Sequence, residues 1–559
     1  MGIYLNPGRD NFQTALDSEV YVDKTEILRH LNAVVNTLQK YVCVSRPRRF
    51  GKTMAADMLC AYYGREAESR ELFERRKLAE CPPIVAGGGR ELPWDAYLGA
   101  FDVVRLTMTD FMGDADGVPD MLSYLTDEVT HELMEAYPDV FYGSRINLRT
   151  VMGRIHGRTK RQFVVVIDEW DAVFREWGED KDGQRRYLDF LRDWFKDKPY
   201  IALAYMTGIL PIKKYGRHSA LNMFAEYSMM YPMQLAKYTA FTEVEVKREC
   251  RRRGRDFESM RRWYDGYEVS ETVPPDPDHR ILRETGHSPV AKRYALYSPL
   301  SVVEAVTTGT IRNYWNKTET YEALAEYIRM DYDGLKEAVA LLMDGGRVVV
   351  DTSTYQNDMT TFHGRDDVLS LLVHLGYLGF DDRTGEVFVP NREVLDEFRA
   401  STKSEEWVGT LRAFEASKEL LAATWALDAD RVAELLEAAH DRAANRTYND
   451  EAALSYAVQY AYYAAQRYYT TVLELDSGKG YADVAYLPAP KCADKPALLV
   501  ELKFGDTAEG AIAQIRRRNY PQRLEHYRGN LLLVGVNYDR DATSRDPGFK
   551  HHTCIIERA

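Results

Sequence analysis

The chain has 559 residues, a formal net charge of −13, and hydrophobic and charged contents of 45% and 28%, which are ordinary for a globular protein. This length is too great for a single hydrophobic core, so roughly two to four domains are expected. The negative charge argues against a protein that binds nucleic acid over most of its surface. Any contact with DNA or RNA must come from local basic patches.

The sequence gives no sign of membrane insertion or secretion. No apolar run approaches the roughly 20 residues that span a bilayer, and the opening MGIYLNPGRDNF has no apolar signal-peptide core. The six cysteines are scattered without a C-x-x-C pair, which favours reduced thiols and disfavours a zinc site. We therefore expect a cytoplasmic protein with no membrane partner.

The first 40 residues are predicted to cap the domain that follows. Apolar residues recur at helical spacing from Glu26 to Leu38, directly after Asp23-Lys24-Thr25. We assign this segment no catalytic role.

Residues 41–63, YVCVSRPRRFGKTMAADMLCAYY, contain the parts of a phosphate-binding loop. Residues 41–45 are typical of a buried strand, and Gly51-Lys52-Thr53 opens a run with helical spacing. Backbone N–H groups and the dipole at a helix N-terminus favour a bound anion. Lys52 would reach the β- and γ-phosphates of ATP, and the Thr53 hydroxyl would bind Mg²⁺.

The loop departs from the usual G-x-x-x-x-G-K-[ST] pattern because Arg46 stands where the first glycine belongs. A basic surface loop before a helix is the alternative interpretation. The stretches that follow favour the phosphate-binding interpretation.

A second apolar strand, residues 163–167 in QFVVVIDEWD, ends at Asp168-Glu169. An Asp at the C-terminal end of a buried parallel strand can hold Mg²⁺, and the Glu beside it can polarise the attacking water. Strands that end in an acid are common, so the prediction depends on both stretches together.

Strands and helices alternate through residues 41–245, which predicts a mostly parallel sheet with helices on both faces. Ligands of such sheets bind at the strand C-termini. Thr207 ends one strand and is either a γ-phosphate sensor or a Thr satisfied by its own turn. Arg217 is either an arginine finger acting in trans or a surface residue. The remaining predicted elements are strands at 101–108 and 200–206 and helices at 121–137 and 184–195.

Residues 246–400 are predicted to be mainly helical, with a Pro-rich loop at 273–279. A helix at 367–375 precedes a hairpin at 377–390, an order typical of a small winged-helix unit. Because the hairpin carries few basic residues, a lid or protein–protein role is favoured over DNA contact.

Residues 401–559 are predicted to begin with helices and to end in a sheet. Helices are predicted at 408–440, from about 451 to 469 and at 509–518, and strands at 470–475, 481–487, 497–504 and 531–536. Four tyrosines of the second helix are expected to pack rather than to stack on bases: Tyr456, Tyr460, Tyr463 and Tyr468.

Asp483 in YADVAYL and Glu501 and Lys503 in ALLVELKF form a second candidate site. Residues i and i+2 of a strand share a face, so Glu501 and Lys503 project together, and Asp483 joins them if its strand is the hairpin neighbour. Two carboxylates can hold Mg²⁺, and the lysine can orient or deprotonate water. The alternative is a solvated ion pair, although the apolar residues before Glu501 predict a buried strand, where unpaired charges are costly.

Two basic runs, at 251–255 and 516–518, are candidate nucleic-acid contacts. Solvated helix faces are the commoner explanation for runs of this kind.

The loop RPRRFGKT resembles the signature of the AAA-ATPase-like family that is often fused to a PD-(D/E)XK nuclease domain, and Arg46 matches an arginine that is usual there. Other similar segments are YVDKT at 21–25, Thr207-Gly208, WYDGY at 263–267, YSP at 297–299 and YWNKT at 314–318. The C-terminal D…E-x-K pattern is similar to that of PD-(D/E)XK nucleases. GKGYAD at 478–483, the helix-borne Glu451, and Gln514 and Tyr520 of a Q-x(5)-Y helix also match.

The resemblance implies an α/β protein with a P-loop NTPase core (1–245), a helical and winged-helix-like lid (246–400) and a restriction-endonuclease-like domain (401–559). The expected cofactors are ATP and Mg²⁺, and DNA, RNA and a homo-oligomer are candidate partners. The predicted nucleotide site consists of Arg48, Arg49, Phe50, Gly51, Lys52, Thr53, Asp168 and Thr207, with Glu169 catalytic. The predicted nuclease site consists of Asp483, Glu501 and Lys503. The metal ligands are Thr53 and Asp168 in one site and Asp483 and Glu501 in the other.

Two functional hypotheses follow. The first is an ATP-regulated, metal-dependent nuclease, which by analogy with the family would act in microbial defence or mobile-element control. The second is an ATP-dependent switch or scaffold whose nuclease-like domain is inactive. A phosphotransferase is disfavoured because no acceptor-binding motif is visible.

Overall fold

The computed structural model describes the chain except for residues 1, 66–67, 87–88, 141–146, 213–220, 273–290, 316–320, 331, 443–450, 477–480, 519–523, 528, 540 and 542–549. It divides into two compact units. The first unit contains Met1–Tyr327 and Val349–Phe398, and the second contains Ile328–Val348 and Arg399–Ala559. The division into three domains at residues 245 and 400 stays a prediction.

The helices up to residue 328 are α1 (Asp10–Asp17), α2 (Ile27–Val34), α3 (Lys52–Tyr63), α4 (Arg70–Phe73), α5 (Lys77–Glu80), α6 (Val118–Ala136), α7 (Leu148–Thr159), α8 (Ala172–Glu176), α9 (Lys181–Phe195), α10 (Glu243–Arg253), α11 (Phe257–Tyr264), α12 (Pro299–Thr308) and α13 (Tyr321–Ile328). The strands of the same stretch are β1 (Tyr41–Ser45), β2 (Ile84–Ala86), β3 (Arg90–Leu92), β4 (Asp102–Thr107), β5 (Phe163–Asp168), β6 (Ile201–Gly208), β7 (Ala225–Tyr227), β8 (Phe241–Thr242), β9 (Tyr267–Thr272) and β10 (Ala291–Tyr297).

The later helices are α14 (Leu335–Met343), α15 (Arg365–Leu375), α16 (Arg392–Ser401), α17 (Glu405–Trp425), α18 (Ala429–Arg442), α19 (Glu451–Ala461) and α20 (Ala508–Arg518). The later strands are β11 (Val348–Val349), β12 (Gly379–Asp381), β13 (Glu386–Phe388), β14 (Tyr469–Asp476), β15 (Tyr481–Pro488), β16 (Ala497–Phe504), β17 (Leu531–Tyr538) and β18 (His552–Arg558).

A five-stranded parallel sheet organises the first unit, in the order β4-β5-β6-β1-β7. Strands β1, β5 and β6 are buried at every residue, as their continuous apolar sequences predict for the centre of a parallel sheet. Because all five strands run the same way, their C-terminal ends lie along one edge. That edge carries the residues that follow Ser45, Asp168 and Thr207.

Residues 246–398 contain more sheet than the sequence predicted. Strands β9 and β10, which lie in a region that we predicted to be mainly helical, form an antiparallel sheet together with β8. The predicted helix and hairpin are present as α15 and the antiparallel pair β12–β13, whose strands end and begin at Asp381 and Glu386. The Pro-rich loop lies outside the described residues.

A mixed sheet organises the second unit, in the order β14-β15-β16-β17-β18. Strands β16 and β17 are parallel, and the other neighbours are antiparallel. A Cβ on Gly535 of β17 would lie 2.7 Å from the Ala508 carbonyl oxygen, so the glycine lets α20 approach the sheet closely. Strand β18 was not predicted from the sequence.

Several predicted helices end earlier than their apolar patterns suggested. Helix α2 stops at Val34 because Asn36 adopts φ 58°, and Leu38 is 90% exposed. The predicted helix at 408–440 is two helices, broken where Leu427 adopts φ 62°. Helix α19 ends at Ala461 and Tyr469 begins a strand.

The packing prediction for the tyrosines of α19 was wrong at two positions. Tyr456 is 62% exposed and Tyr460 is 42% exposed. Within the described residues, none of the helices combines the length and the apolar character that crossing a bilayer demands.

Candidate nucleotide and nuclease sites

The loop between β1 and α3 has the backbone shape that an anion-binding turn needs. Arg49 and Gly51 both adopt left-handed conformations, with φ 65° and 83°. A Cβ on Gly51 would meet nothing within 4 Å, so glycine serves the backbone conformation there and not close packing. The turn brings the chain into the N-terminus of α3 at Lys52, as the sequence predicted.

Arg46, which replaces the first glycine of the usual pattern, has a structural role. Its side chain is fully buried, and one guanidinium nitrogen donates to the carbonyl oxygens of Ser45 and Tyr227, both at 2.8 Å. The arginine therefore ties the end of β1 to the neighbouring β7. Arg46 does not have a positive φ, so glycine is not required at this position.

Lys52 places its ammonium group inside the loop. It donates to the carbonyl oxygens of Arg46 at 3.0 Å and Pro47 at 2.8 Å, and the side chain is buried. Burial lowers the pKa of Lys52 to about 8, although the carboxylates of Asp168 and Asp171 oppose that change. A buried cation whose hydrogen bonds go to carbonyl oxygens is well suited to receive phosphate oxygens.

Asp168 ends β5 beside the start of α3. Its carboxylate accepts a hydrogen bond from the Glu169 backbone N–H at 3.0 Å, and Arg105 lies 3.9 Å away. Burial raises the pKa of Asp168, while Thr53, Lys52 and Arg105 oppose the rise. A hydroxyl and a neighbouring carboxylate beside a phosphate loop are oxygen ligands that fit Mg²⁺.

Glu169 leaves the strand in a left-handed conformation, with φ 51°. Its side chain is 41% exposed and lies 3.4 Å from Arg175, a buried residue of α8. Backbone strain of this kind persists where the surrounding structure holds it, and it is concentrated at functional sites. Arg48 and Arg49 are exposed at the tip of the loop, and Phe50 is buried.

Sequence reasoning missed Asp171, two residues further on. This fully buried carboxylate accepts from the backbone N–H groups of Ile209 and Leu210, at 3.0 and 2.8 Å, and lies 3.3 Å from Arg175. It thereby fixes the turn that follows β6. The Asp-x-x-Asp spacing in DEWD was the available signal.

Thr207 lies opposite Asp168 in the register of β5 and β6 and opposite Val44 of β1. Its side chain is fully buried, and among the described residues its hydroxyl has no hydrogen-bond partner. A strand-end Thr satisfied by its own turn would show such a partner. Arg217, the candidate arginine finger, lies outside the described residues.

An apolar cavity adjoins the phosphate loop. It is bordered on the loop side by Phe50 and Gly51, and Lys24 is its charged neighbour. Apolar and aromatic walls next to a phosphate site suit a flat nucleotide base. The other walls include Tyr21, Met54, Tyr238, Pro299 and Val303.

In the second unit, strands β15 and β16 separate at the predicted site. They pair from Tyr486–Leu498 to Val484–Val500, and beyond that point the Asp483 carboxylate accepts from the Leu502 backbone N–H at 2.7 Å. The Asp483 strand is therefore the antiparallel neighbour of the strand that carries Glu501, and the site that these residues would form stays a prediction.

Gln514 joins the two charged residues of β16. Its amide nitrogen donates to the Glu501 carboxylate, and its amide oxygen accepts from the Lys503 ammonium at 2.8 Å. Glu501 is 1% exposed. A glutamine is the neutral side chain that can satisfy an anion and a cation at once.

Two carboxylates of the predicted nuclease site can contribute to the binding of a divalent ion. Asp483 and Glu501 supply carboxylate oxygens, which Mg²⁺ prefers together with water. In the described part of the chain, no group of three or more His, Cys, Asp or Glu side chains is arranged to hold a metal. Glu451 begins α19, but its side chain lies outside the description, as do Tyr520 and residues 478–480 of the GKGYAD segment.

The basic run at 251–255 is largely engaged with its own unit. Arg252 and Arg253 contact the buried Glu249, and Arg255 donates to the Val306 carbonyl oxygen at 3.0 Å. Of the second run, Arg516 pairs with Glu557. Solvated and capping roles therefore account for these arginines.

Comparisons with known proteins identify two domains in the chain. Residues 8–216 match a family model described as a predicted AAA-ATPase, and residues 451–546 match the model of the PD-(D/E)XK nuclease superfamily. The chain thus carries an AAA-ATPase-like domain near its N-terminus and a PD-(D/E)XK nuclease superfamily domain near its C-terminus, which confirms the resemblance found in the sequence. A comparison with curated proteins gives no match.

Three solved structures show low similarity to the chain. Cdc6p from Pyrobaculum aerophilum is 10% identical, with 70% of this chain and 92% of that chain covered and a TM-score of 0.21. The ORC2 protein of Aeropyrum pernix (ADPNP–ADP complexes) is 11% identical, with 71% of this chain and 99% of that chain covered and a TM-score of 0.25. The ORC1 protein of Aeropyrum pernix in complex with DNA is 13% identical, with 74% of this chain and 100% of that chain covered and a TM-score of 0.23. At these TM-scores we infer nothing about this chain from them.

Proposed function

We propose that the chain is an ATP-hydrolysing protein whose nucleotide state regulates a metal-dependent nuclease. The observation that carries the proposal is the position of the Lys52 ammonium, which is buried inside the phosphate loop on the carbonyl oxygens of Arg46 and Pro47, with the Asp168 carboxylate among its charged neighbours. Nucleotide phosphates bound in the loop would lie between the Lys52 ammonium and the side-chain oxygens of Thr53 and Asp168.

At the first site, each residue has a separate task. Lys52 binds the β- and γ-phosphates, and the Thr207 hydroxyl contacts the γ-phosphate. Glu169 accepts a proton from the attacking water. Thr53 and Asp168 hold Mg²⁺, which when bound offsets the negative charge of the phosphates. The apolar cavity beside Gly51 takes the base.

At the second site, Asp483 and Glu501 hold a Mg²⁺ ion, which when bound stabilises negative charge on the phosphodiester of DNA or RNA. Lys503 orients the attacking water through its ammonium group, and Gln514 contacts both Lys503 and Glu501. The support for this half of the proposal is the pairing of β15 with β16 next to Asp483, together with the Gln514 amide that bridges Glu501 and Lys503.

A cytoplasmic location is part of the proposal and is supported by six free cysteines. A role in microbial defence or mobile-element control and assembly into a homo-oligomer are further proposals that the family resemblance suggests.

The test is cleavage of plasmid, linear and single-stranded DNA and of RNA, with Mg²⁺ or Mn²⁺ and with or without ATP. Wild type is compared with Lys52→Ala and Lys503→Ala, and ATP binding is measured in parallel. We expect Lys503→Ala to abolish cleavage without weakening ATP binding, and Lys52→Ala to lose ATP binding and the effect of ATP on cleavage. Undiminished cleavage by Lys503→Ala would refute the nuclease assignment.

A second candidate function is an ATP-dependent switch or scaffold with an inactive nuclease-like domain. The observation that favours it is that the described residues offer two carboxylates and no third ligand at the nuclease site. Normal ATP binding together with no cleavage of any substrate and no metal binding would establish this alternative.

A further inference from the structure

Residues of the WYDGY segment and of helix α15 contact the phosphate loop. The two ends of the loop meet two different residues, Pro47 meeting Gly376 and Phe50 meeting Tyr267. The ring of Phe50 meets that of Tyr267 edge-on, with ring centroids 5.4 Å apart and an interplanar angle of 84°. Pro47 lies against Gly376, where an added Cβ would come within 2.8 Å of the proline Cβ.

A hydrogen bond closes this arrangement. The Tyr267 hydroxyl donates to the Gly376 carbonyl oxygen at 2.6 Å. Pro47, Phe50, Tyr267 and Gly376 are thus joined by successive contacts, and together they form the bracket of the phosphate loop. Tyr267 and Phe50 are fully buried. Arg48 and Arg49, which lie between Pro47 and Phe50 in the sequence, are exposed.

Gly376 is suited to this contact by its backbone. It ends α15 with φ 92°, a conformation that favours glycine. A side chain at this position would also approach the Trp315 ring, 3.0 Å from the added Cβ. The bracket thus requires glycine for both conformation and space.

Tyr267 is itself held by a rigid surrounding. Gly266, before it, adopts φ 133°, and an added Cβ would overlap the Pro390 carbonyl oxygen. Three residues earlier, the Tyr264 hydroxyl donates to the Arg312 carbonyl oxygen at 2.9 Å. These contacts fix the WYDGY segment to Arg312 and Pro390, which are far from the phosphate loop in sequence.

We propose that Tyr267 is a positioning residue for nucleotide binding, which holds the phosphate loop in its anion-binding form from the lid side of the first unit. The inference rests on the proposed ATP site. The left-handed conformations of Arg49 and Gly51 are strained or glycine-specific, and such conformations persist only where neighbouring structure holds them. The Phe50–Tyr267 contact lies between these two residues and supplies that restraint.

The coupling must act in both directions. If the bracket favours the ATP-binding loop, then bound ATP favours the closed bracket by the same factor. Bound ATP should consequently protect the end of α15 from opening. Lid position and nucleotide occupancy would be linked through Gly376.

The experiment compares Tyr267→Phe with Tyr264→Phe in the full chain. Each variant removes one buried tyrosine hydroxyl from the same segment, but only Tyr267 contacts the loop. Affinity for Mg²⁺-ATP is measured by calorimetry, and hydrogen–deuterium exchange of peptides covering residues 370–380 is followed with and without ATP. Phe50→Leu, which keeps the hydroxyl bond and removes the ring contact, is the second variant.

We expect Tyr267→Phe and Phe50→Leu to bind ATP about two- to tenfold more weakly than wild type, the effect of losing one modest interaction from the competent loop. ATP should slow exchange at residues 370–380 in wild type and Tyr264→Phe, and less so in Tyr267→Phe. Equal ATP affinity of Tyr267→Phe and wild type, or equal weakening by Tyr264→Phe, would overturn the inference while leaving the proposed function standing. A wild-type chain that binds no ATP would overturn both.

Discussion

Thr207 lies directly opposite Asp168 on neighbouring parallel strands, and β6 places it between that carboxylate and the strand that enters the phosphate loop. Its buried hydroxyl has no hydrogen-bond partner in the described part of the chain. An unsatisfied buried hydroxyl costs about 1–3 kcal/mol. A phosphate oxygen bound at this edge would satisfy it.

Replacing Thr207 with valine should separate stability from catalysis. The isosteric change removes an unsatisfied hydroxyl, so the free energy of unfolding without nucleotide should stay equal or rise by about 1 kcal/mol. ATP hydrolysis should fall about 10- to 1,000-fold, as expected for loss of one donor that acts in the transition state. Urea unfolding and phosphate-release kinetics measure the two effects. A variant that unfolds more easily and hydrolyses ATP normally would show that Thr207 is purely structural.

Glu169→Gln should bind ATP within about threefold of the wild-type affinity and hydrolyse it about 10²- to 10⁴-fold more slowly, because the amide cannot accept the proton of the attacking water. The half-exposed position of Glu169 makes a large loss of stability unexpected. Binding is measured by calorimetry and hydrolysis by phosphate release.

Asp171→Asn is the matched control for Glu169→Gln. Asp171 accepts hydrogen bonds from two backbone N–H groups and contacts Arg175. Its replacement should therefore lower the melting temperature, and any loss of ATP hydrolysis should accompany that loss of stability. If Asp171→Asn stops hydrolysis without changing stability and Glu169→Gln does not, the general base has been assigned to the wrong carboxylate.

The parts of the fold that the sequence predicted well are those specified by local pattern. The apolar runs of β1, β5 and β6 and the Gly51-Lys52-Thr53 turn are legible because buried parallel strands and helix N-termini have strong local signatures. Strand periodicity predicted that Glu501 and Lys503 share a face, and β15, the strand of Asp483, is the antiparallel neighbour of β16.

What escaped prediction depends on contacts between distant residues. The bracket between Phe50 and Tyr267 joins segments more than two hundred positions apart, and no local pattern specifies it. Strands β9 and β10 pair across residues 273–290, so neither has a short hairpin turn to mark it. The early end of α2 is set by the left-handed Asn36, although the apolar periodicity continues past it.

Glu437 of α18 should make the second unit sensitive to acid. Nδ1 of His552 lies 2.6 Å from its carboxylate, and the backbone N–H groups of His551 and His552 donate to it at 3.2 and 3.1 Å. Although burial raises the pKa of Glu437, these contacts lower it to about 2. A carboxylate with a depressed pKa stabilises the fold above its ordinary pKa of about 4.5, and that stabilisation is lost as the pH falls through about 2.

Glu437→Gln should therefore lower the free energy of unfolding at pH 7 by at most about 3 kcal/mol, the equivalent of this pKa shift. The difference from wild type should stay constant down to about pH 5 and shrink below about pH 4.5. Urea unfolding at pH 7, 5, 4 and 3 measures it. Glu434→Gln, which replaces an exposed ion-paired carboxylate of the same helix, should change little at any pH. A wild-type–variant difference that is unchanged at pH 3 would contradict the assignment.

Gln514 offers a test of the nuclease site that leaves its predicted metal ligands intact. Its amide faces Glu501 with its donor and Lys503 with its acceptor, so the two charges determine the orientation of the amide. Gln514→Glu would set a second carboxylate against the buried Glu501, and Gln514→Ala would only remove the bridge. We expect plasmid cleavage with Mg²⁺ to fall at least about tenfold in Gln514→Glu, because like charges in a buried site oppose each other strongly, and to fall less in Gln514→Ala. Gln459→Glu, on α19, where the glutamine donates to Ser455, is the control and should retain cleavage. Full activity in Gln514→Glu would mean that Glu501 and Lys503 do not work as a unit at this site.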